Sequence, residues 1–88
     1  MASYKVHLKH TAEKDLRKLP KDVLARVFQE IEDLGSDPFP AQVVKLSGAD
    51  RLYRVRVGDY RIIYEVDTRE KLVTINNVRH RREVYRPH

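Results

Sequence analysis

The chain has 88 residues and no cysteine, so residues 1–88 form one small domain held by its own hydrophobic core, with disulfides and Cys-ligated zinc excluded. Hydrophobic residues at 41% and charged residues at 35% exclude a disordered tail, and no apolar run is long enough to span a membrane. The net charge of +5 comes from 18 Lys+Arg against 13 Asp+Glu, and all of that excess lies after Asp50, a distribution that calls for a polyanionic partner.

From Tyr4 to Leu8 apolar and polar residues alternate, the pattern of a half-buried strand. The first ten residues, Met1 to His10, break their apolar positions with charges and hold no h-region, so they do not read as a secretory signal. With the missing cysteines, this points to the cytoplasm. Thr11 is placed to cap a short helix in which Ala12, Leu16 and Leu19 make one apolar stripe, and Pro20 closes it because the residue before a proline avoids the α region. The same proline can open a second helix, where Val23, Leu24, Val27, Phe28, Ile31 and Leu34 keep a 3.6-residue period. Gly35 reads as its stop, and Pro38 and Pro40 break the loop that follows.

Strand patterns then take over: Val43 to Leu46, Arg51 to Val57, Tyr60 to Asp67, and Lys71 to about Val78, with turns at Ser47–Asp50 and Gly58–Asp59. The order is written β-α-α-β-β-β, an α+β domain with a helical hairpin packed on a mainly antiparallel sheet. The polar tail from Arg79 to His88 has no conformation readable from its sequence.

The Gly58–Asp59 turn suits a type II′ hairpin. Pairing Val57 with Tyr60 sets Arg56 opposite Arg61, Val55 opposite Ile62, Arg54 opposite Ile63 and Tyr53 opposite Tyr64. One side of the ribbon then carries Tyr53, Val55, Val57, Tyr60, Ile62 and Tyr64, ready for burial. The other carries Arg54, Arg56 and Arg61. Facing like charges destabilise a sheet by up to about 1 kcal/mol per pair, and an ordinary solvated strand face mixes signs instead. Three stacked arginines therefore read as a phosphate site. A second basic group, Arg79-His80-Arg81-Arg82 with Tyr85 and Arg86, includes the one histidine set among arginines, a ring that can accept or give a proton near neutral pH. No metal-ligand spacing, P-loop, G-x-S-x-G or G-x-G-x-x-G is present, and no cofactor is expected. Arginines, a histidine and a tyrosine suit metal-free cleavage of RNA by its own 2′-hydroxyl.

At these residues the sequence resembles the RelE/ParE toxin superfamily, in particular its RelE-like branch of mRNA interferases. The likeness runs through Leu16-Arg17-Lys18-Leu19-Pro20, Lys45-Leu46-Ser47-Gly48, the run Leu52 to Tyr64, and His80-Arg81-Arg82-Glu83-Val84-Tyr85. It implies a toxin that enters the A site of the 70S ribosome, cuts the mRNA codon there without a metal, and is silenced by a RelB-like antitoxin, with operator DNA as a further partner of that complex. Arg54 and Arg56 stand where the best-known relatives have two lysines acting on the phosphate and its 2′-hydroxyl, and Arg61 stands at the arginine that stabilises the transition state. Arg81, with Arg82 as its rival, and Tyr85 match the arginine and tyrosine of the last segment.

The same likeness makes Lys45, Arg51, Arg79, Arg82 and Arg86 candidate RNA contacts. A guanidinium, with a pKa above about 12, cannot act as a general base; His80 is then the first candidate to move the proton, with Tyr85 or Glu65 as fallback. Some related toxins use a carboxylate upstream of the arginine strands, for which Ala41, Gln42 and Lys45 supply no equivalent. The alternatives within and beyond the superfamily are a ParE-like toxin that inhibits DNA gyrase by binding, and a non-catalytic RNA- or ribosome-binding relic.

Overall fold

The computed structural model describes residues 3–46, 48 and 51–84. Its elements run β1 (Lys5–Leu8), α1 (His10–Arg17), α2 (Lys21–Ser36), β2 (Val44–Lys45), β3 (Leu52–Val57), β4 (Tyr60–Asp67), β5 (Leu72–His80) and α3 (Arg81–Val84). They build an α+β domain in which the sheet order is β1-β5-β4-β3-β2. Only β1 runs parallel to its neighbour, β5; the other pairs are antiparallel. The strand expected over Val43 to Leu46 is present as Val44–Lys45, paired with Arg54 and Tyr53; the shorthand order β-α-α-β-β-β counts one strand fewer than the segments read from the sequence.

The apolar stripes of the helices meet one face of this sheet. Ala12, Leu16, Val27, Ile31 and Leu34 pack on Val55, Val57, Ile62, Tyr64, Val66, Val73, Ile75 and Val78, all buried. Each valine, leucine or isoleucine among them contributes about 1.5–3 kcal/mol when fully buried. That gain outweighs the repulsion of about 1 kcal/mol expected where arginines face each other on the opposite side.

Two local expectations change. Thr11 does not cap α1, whose N-cap is Lys9 without a side-chain bond; the Thr11 hydroxyl donates instead to the Asn76 carbonyl at 2.6 Å. Gly35 does not stop α2 but lies in its last turn. There its carbonyl accepts the Tyr4 N–H at 2.8 Å, and a Cβ would come within 3.1 Å of Val6 Cγ2, so the missing side chain is what lets β1 approach. Gly58, by contrast, has the expected role: its φ is +60° while Asp59 is not among the positive-φ residues, as a type II′ turn requires.

The strand β1 covers only the first half of β5, from Leu72 to Ile75. Beyond it, α1 takes over the edge. Asp15 Oδ2 accepts the Val78 N–H at 3.0 Å, and Thr11 holds Asn76, the extra residue of a bulge between the Ile63–Asn77 and Tyr64–Ile75 pairs.

Candidate functional site

The β3–β4 hairpin has the register read from its sequence, including Arg56 opposite Arg61 and Arg54 opposite Ile63. Since residues directly opposite share a face and alternate residues do not, Arg54, Arg56 and Arg61 project from the side of the sheet away from the helices. They line one hollow of about 210 Å³ together with Gln42 and Val44. Val44 belongs there because it is the cross-strand partner of Arg54. Arg54 and Arg61 are half-buried and Arg56 is exposed. Arg56 Nε donates to the Gly58 carbonyl at 2.7 Å, which folds its guanidinium toward the turn.

The segment that brings Gln42 to this hollow is pinned from several sides. The buried Tyr64 hydroxyl donates to the Pro38 carbonyl at 2.8 Å. Phe39 stands edge-on to Tyr53 with ring centroids 5.2 Å apart, and the Phe39 N–H donates to Asp37 Oδ1 at 3.0 Å. The Val43 N–H then closes a turn onto the Pro40 carbonyl at 3.0 Å, with Ala41 and Gln42 at its tip. Burial, followed by the nearby Glu30 charge, pushes the Tyr64 phenol well above its ordinary range, so it stays a donor to Pro38 at any neutral pH.

Other expected site residues lie elsewhere. Lys45 is the cross-strand partner of Tyr53, which puts it on the helix side of β2, away from the arginines. Arg51 lies before β3 and pairs with Asp67 at 3.2 Å, an exposed contact of small energetic weight. The Asp67 carboxylate is held below the usual range chiefly by the Glu70 N–H, against opposing desolvation.

Arg79 faces Arg61 across β4–β5, yet its Nε lies 3.2 Å from Asp15 Oδ2. It lines a separate depression with Asp15, Lys18, Leu19, Tyr60, Val78 and His80.

His80, the first candidate to move the proton, stands apart from the arginine hollow and lines another depression with Asp59, Arg81 and Arg82. It pairs with Tyr60 across the sheet and meets that ring edge-on at 5.2 Å, on the helix side and across the sheet from Arg54, Arg56 and Arg61. The period of two that sets Arg61 and Arg79 outward sets His80 inward. Its Nδ1 accepts the Arg82 N–H at 3.3 Å. Glu65 does share the arginine face, opposite Leu52, but four residues from Arg61 it is not part of the hollow's lining.

Arg81 and Arg82 are exposed at the start of α3. The Arg81 N–H donates to the Asp59 carbonyl at 2.7 Å, which ties α3 to the hairpin turn. Tyr85 and Arg86 lie outside the described residues.

Sequence reasoning weighed Gln42 only as a missing carboxylate and passed over Asp15. A sequence clue to Gln42 was its position between the two prolines and a strand whose alternation sets Val44 on one face. Asp15 had no clue, since its partners Val78 and Arg79 are more than sixty residues away.

The hollow can grip a phosphate and steady developing negative charge, because three guanidiniums offer only donors and permanent positive charge. None of its lining residues can take a proton near neutrality. Among the described residues no helix is long and apolar enough to cross a membrane.

A family model described as the ParE toxin of type II toxin–antitoxin systems, parDE, matches residues 6–85. The putative toxin RelE1 of Methanocaldococcus jannaschii is 33% identical over 76 residues, 83% of this chain and 84% of that protein. Toxin RelG of Mycobacterium tuberculosis is 33% identical over 84 residues, 94% of this chain and 97% of its own. In the crystal structure of the archaeal RelE–RelB complex from Pyrococcus horikoshii OT3, a chain 34% identical superposes with a TM-score of 0.81, covering 90% of this chain and 96% of that one.

Proposed function

The chain belongs to the RelE/ParE superfamily of type II toxin–antitoxin toxins, and on that premise we propose that it is an mRNA interferase whose arginine hollow holds the scissile phosphate of a codon in the ribosomal A site. The observation that supports this most is the pairing of Arg56 with Arg61 beside Arg54 in one concave patch. A purely structural face has no use for that charge density.

In this reaction the ribose 2′-oxygen attacks the adjacent phosphorus, the O2′–P bond forms and the P–O5′ bond breaks. The products are a 2′,3′-cyclic phosphate and a 5′-hydroxyl. Negative charge gathers on the phosphoryl oxygens in the transition state, where Arg54, Arg56 and Arg61 bind it more tightly than in the ground state. The 2′-proton passes to solvent water and the leaving oxygen takes one from water, because the lining of the hollow holds no base. Arg81 and Arg82 extend the contact along the RNA backbone from the turn, and Tyr85 serves as a stacking partner for a base.

The site of action is the cytoplasm, with ribosomes. The natural inhibitor is a RelB-like antitoxin, since similar toxins are crystallised as RelE–RelB complexes, and the pair meets operator DNA through the antitoxin. Expressing the chain alone and mapping transcript 5′ ends tests the reading: growth arrest with new ends inside translated codons supports it, and arrest without such ends overturns it. The matched family's description as ParE favours, as a second reading, a toxin that stops gyrase by binding. Supercoiling by purified gyrase, unchanged by the toxin, dismisses it.

A further inference from the structure

We propose that Gln42 recognises ribose in this hollow: its side-chain carbonyl accepts a hydrogen bond from the 2′-hydroxyl beside the phosphate held by the three arginines. The inference rests on the phosphate reading above and adds to it the group that distinguishes RNA from DNA.

The argument starts from donors and acceptors. The polar side chains lining the hollow are those of Arg54, Arg56, Arg61 and Gln42, and Val44 completes it. Guanidiniums donate and never accept. They match phosphate oxygens, which only accept. A 2′-hydroxyl about to attack must point a lone pair at phosphorus and its hydrogen somewhere else, so it needs an acceptor. Only the Gln42 amide supplies one from a side chain in this lining; it orients the hydroxyl in the bound state and, too weak a base to keep the proton, gives that hydrogen up to solvent water as the 2′-oxygen attacks. A carboxylate there would be drawn into ion pairs with the arginines and compete with the phosphate, whereas a neutral amide does not.

Placement supports the same role. Gln42 sits at the tip of a turn closed by Val43 N–H to Pro40 O, next to a segment fastened by Tyr64 and by the Phe39–Tyr53 ring contact. Such a pinned turn fixes the backbone from which the exposed Gln42 side chain reaches the hollow, which lowers the entropic cost of a substrate contact. Val44, exposed beside it, gives the ribose an apolar wall.

The test uses the full chain on ribosomes programmed with a defined message, and a second message whose A-site codon carries 2′-deoxyribose, which binds without being cut. Gln42→Met keeps the length of the side chain and removes the acceptor. It is expected to lower the cleavage rate about tenfold while affinity for the deoxy message and the thermal midpoint stay at the wild-type values. Wild-type cleavage by Gln42→Met overturns the inference, as does a loss of affinity for the deoxy message equal to the loss of rate, the signature of a distorted site. If the wild-type chain cuts neither message, the phosphate reading itself falls and takes this inference with it.

Discussion

Arg56 and Arg61 stand directly opposite each other on the hairpin, an arrangement that raises the energy of the sheet and is held by the buried residues behind it. Val55 and Ile62, adjacent in the same register, are both fully buried. The site is thus a destabilised charge cluster on a stable scaffold. Arg61→Ala is expected to reduce cleavage by about 10²–10³-fold, the usual cost of losing one transition-state donor. Urea unfolding of the same variant should stay within about 1 kcal/mol of wild type; a collapse of the fold would show that Arg61 is structural.

Lysine in place of Arg54 or Arg56 changes the proton chemistry. The wild-type rate, with no titrating base in the hollow, should climb with pH through neutrality without levelling. An ammonium beside two guanidiniums loses its proton more readily than a free lysine, so Arg54→Lys is expected to cleave faster and to give a profile that levels as that amine deprotonates. Identical profiles for the two proteins would mean that a base already acts in the wild type.

His80 packs on Tyr60 away from Arg54, Arg56 and Arg61. His80→Ala should therefore leave cleavage within about threefold of wild type, below the 10²–10⁴ expected of a general acid or base. It should cost stability instead, about 0.5–1.5 kcal/mol for the ring pair, read from chemical denaturation.

Tyr64→Phe removes the donor to Pro38 O and leaves that buried carbonyl unpaired, a loss of about 1–3 kcal/mol near neutral pH. The pH dependence has a definite sign. Burial raises the folded phenol's pKa above its unfolded value, so its contribution is fully present below about pH 10 and declines as pH rises from there through the folded value. Wild-type stability should fall in that alkaline window, and the Tyr64→Phe protein should lack this part of the fall.

Asp15 joins α1 to the open half of β5. Asp15→Ala leaves the Val78 N–H without its acceptor and should cost about 1–3 kcal/mol. Asp15→Asn keeps an acceptor oxygen and loses only the pairing with the 44%-exposed Arg79, a smaller effect. Hydrogen exchange at Val78 separates the two: fast in the alanine variant, protected in the asparagine variant.

The sequence by itself determined the helical hairpin, the strand segments and the β3–β4 register, because periodicity and a two-residue Gly–Asp turn are local signals that fix which side chains share a face. Arg54, Arg56 and Arg61 were legible for that reason. What the local pattern could not supply was anything set by contacts between distant segments. The alternation that marks His80 as inward acts only once β5 is known to continue to it, past a bulge that shifts the register at Asn76. The outward Arg79 is drawn to Asp15 from another element. The face that Lys45 takes, away from the arginines, was not legible because a two-residue strand has too short a pattern to read until it pairs with Tyr53. Gln42 reaches the hollow only because Tyr64 and Tyr53, far along the chain, fasten the proline loop. The charge of the site was therefore written in the order of the residues, and its one neutral acceptor was placed by packing.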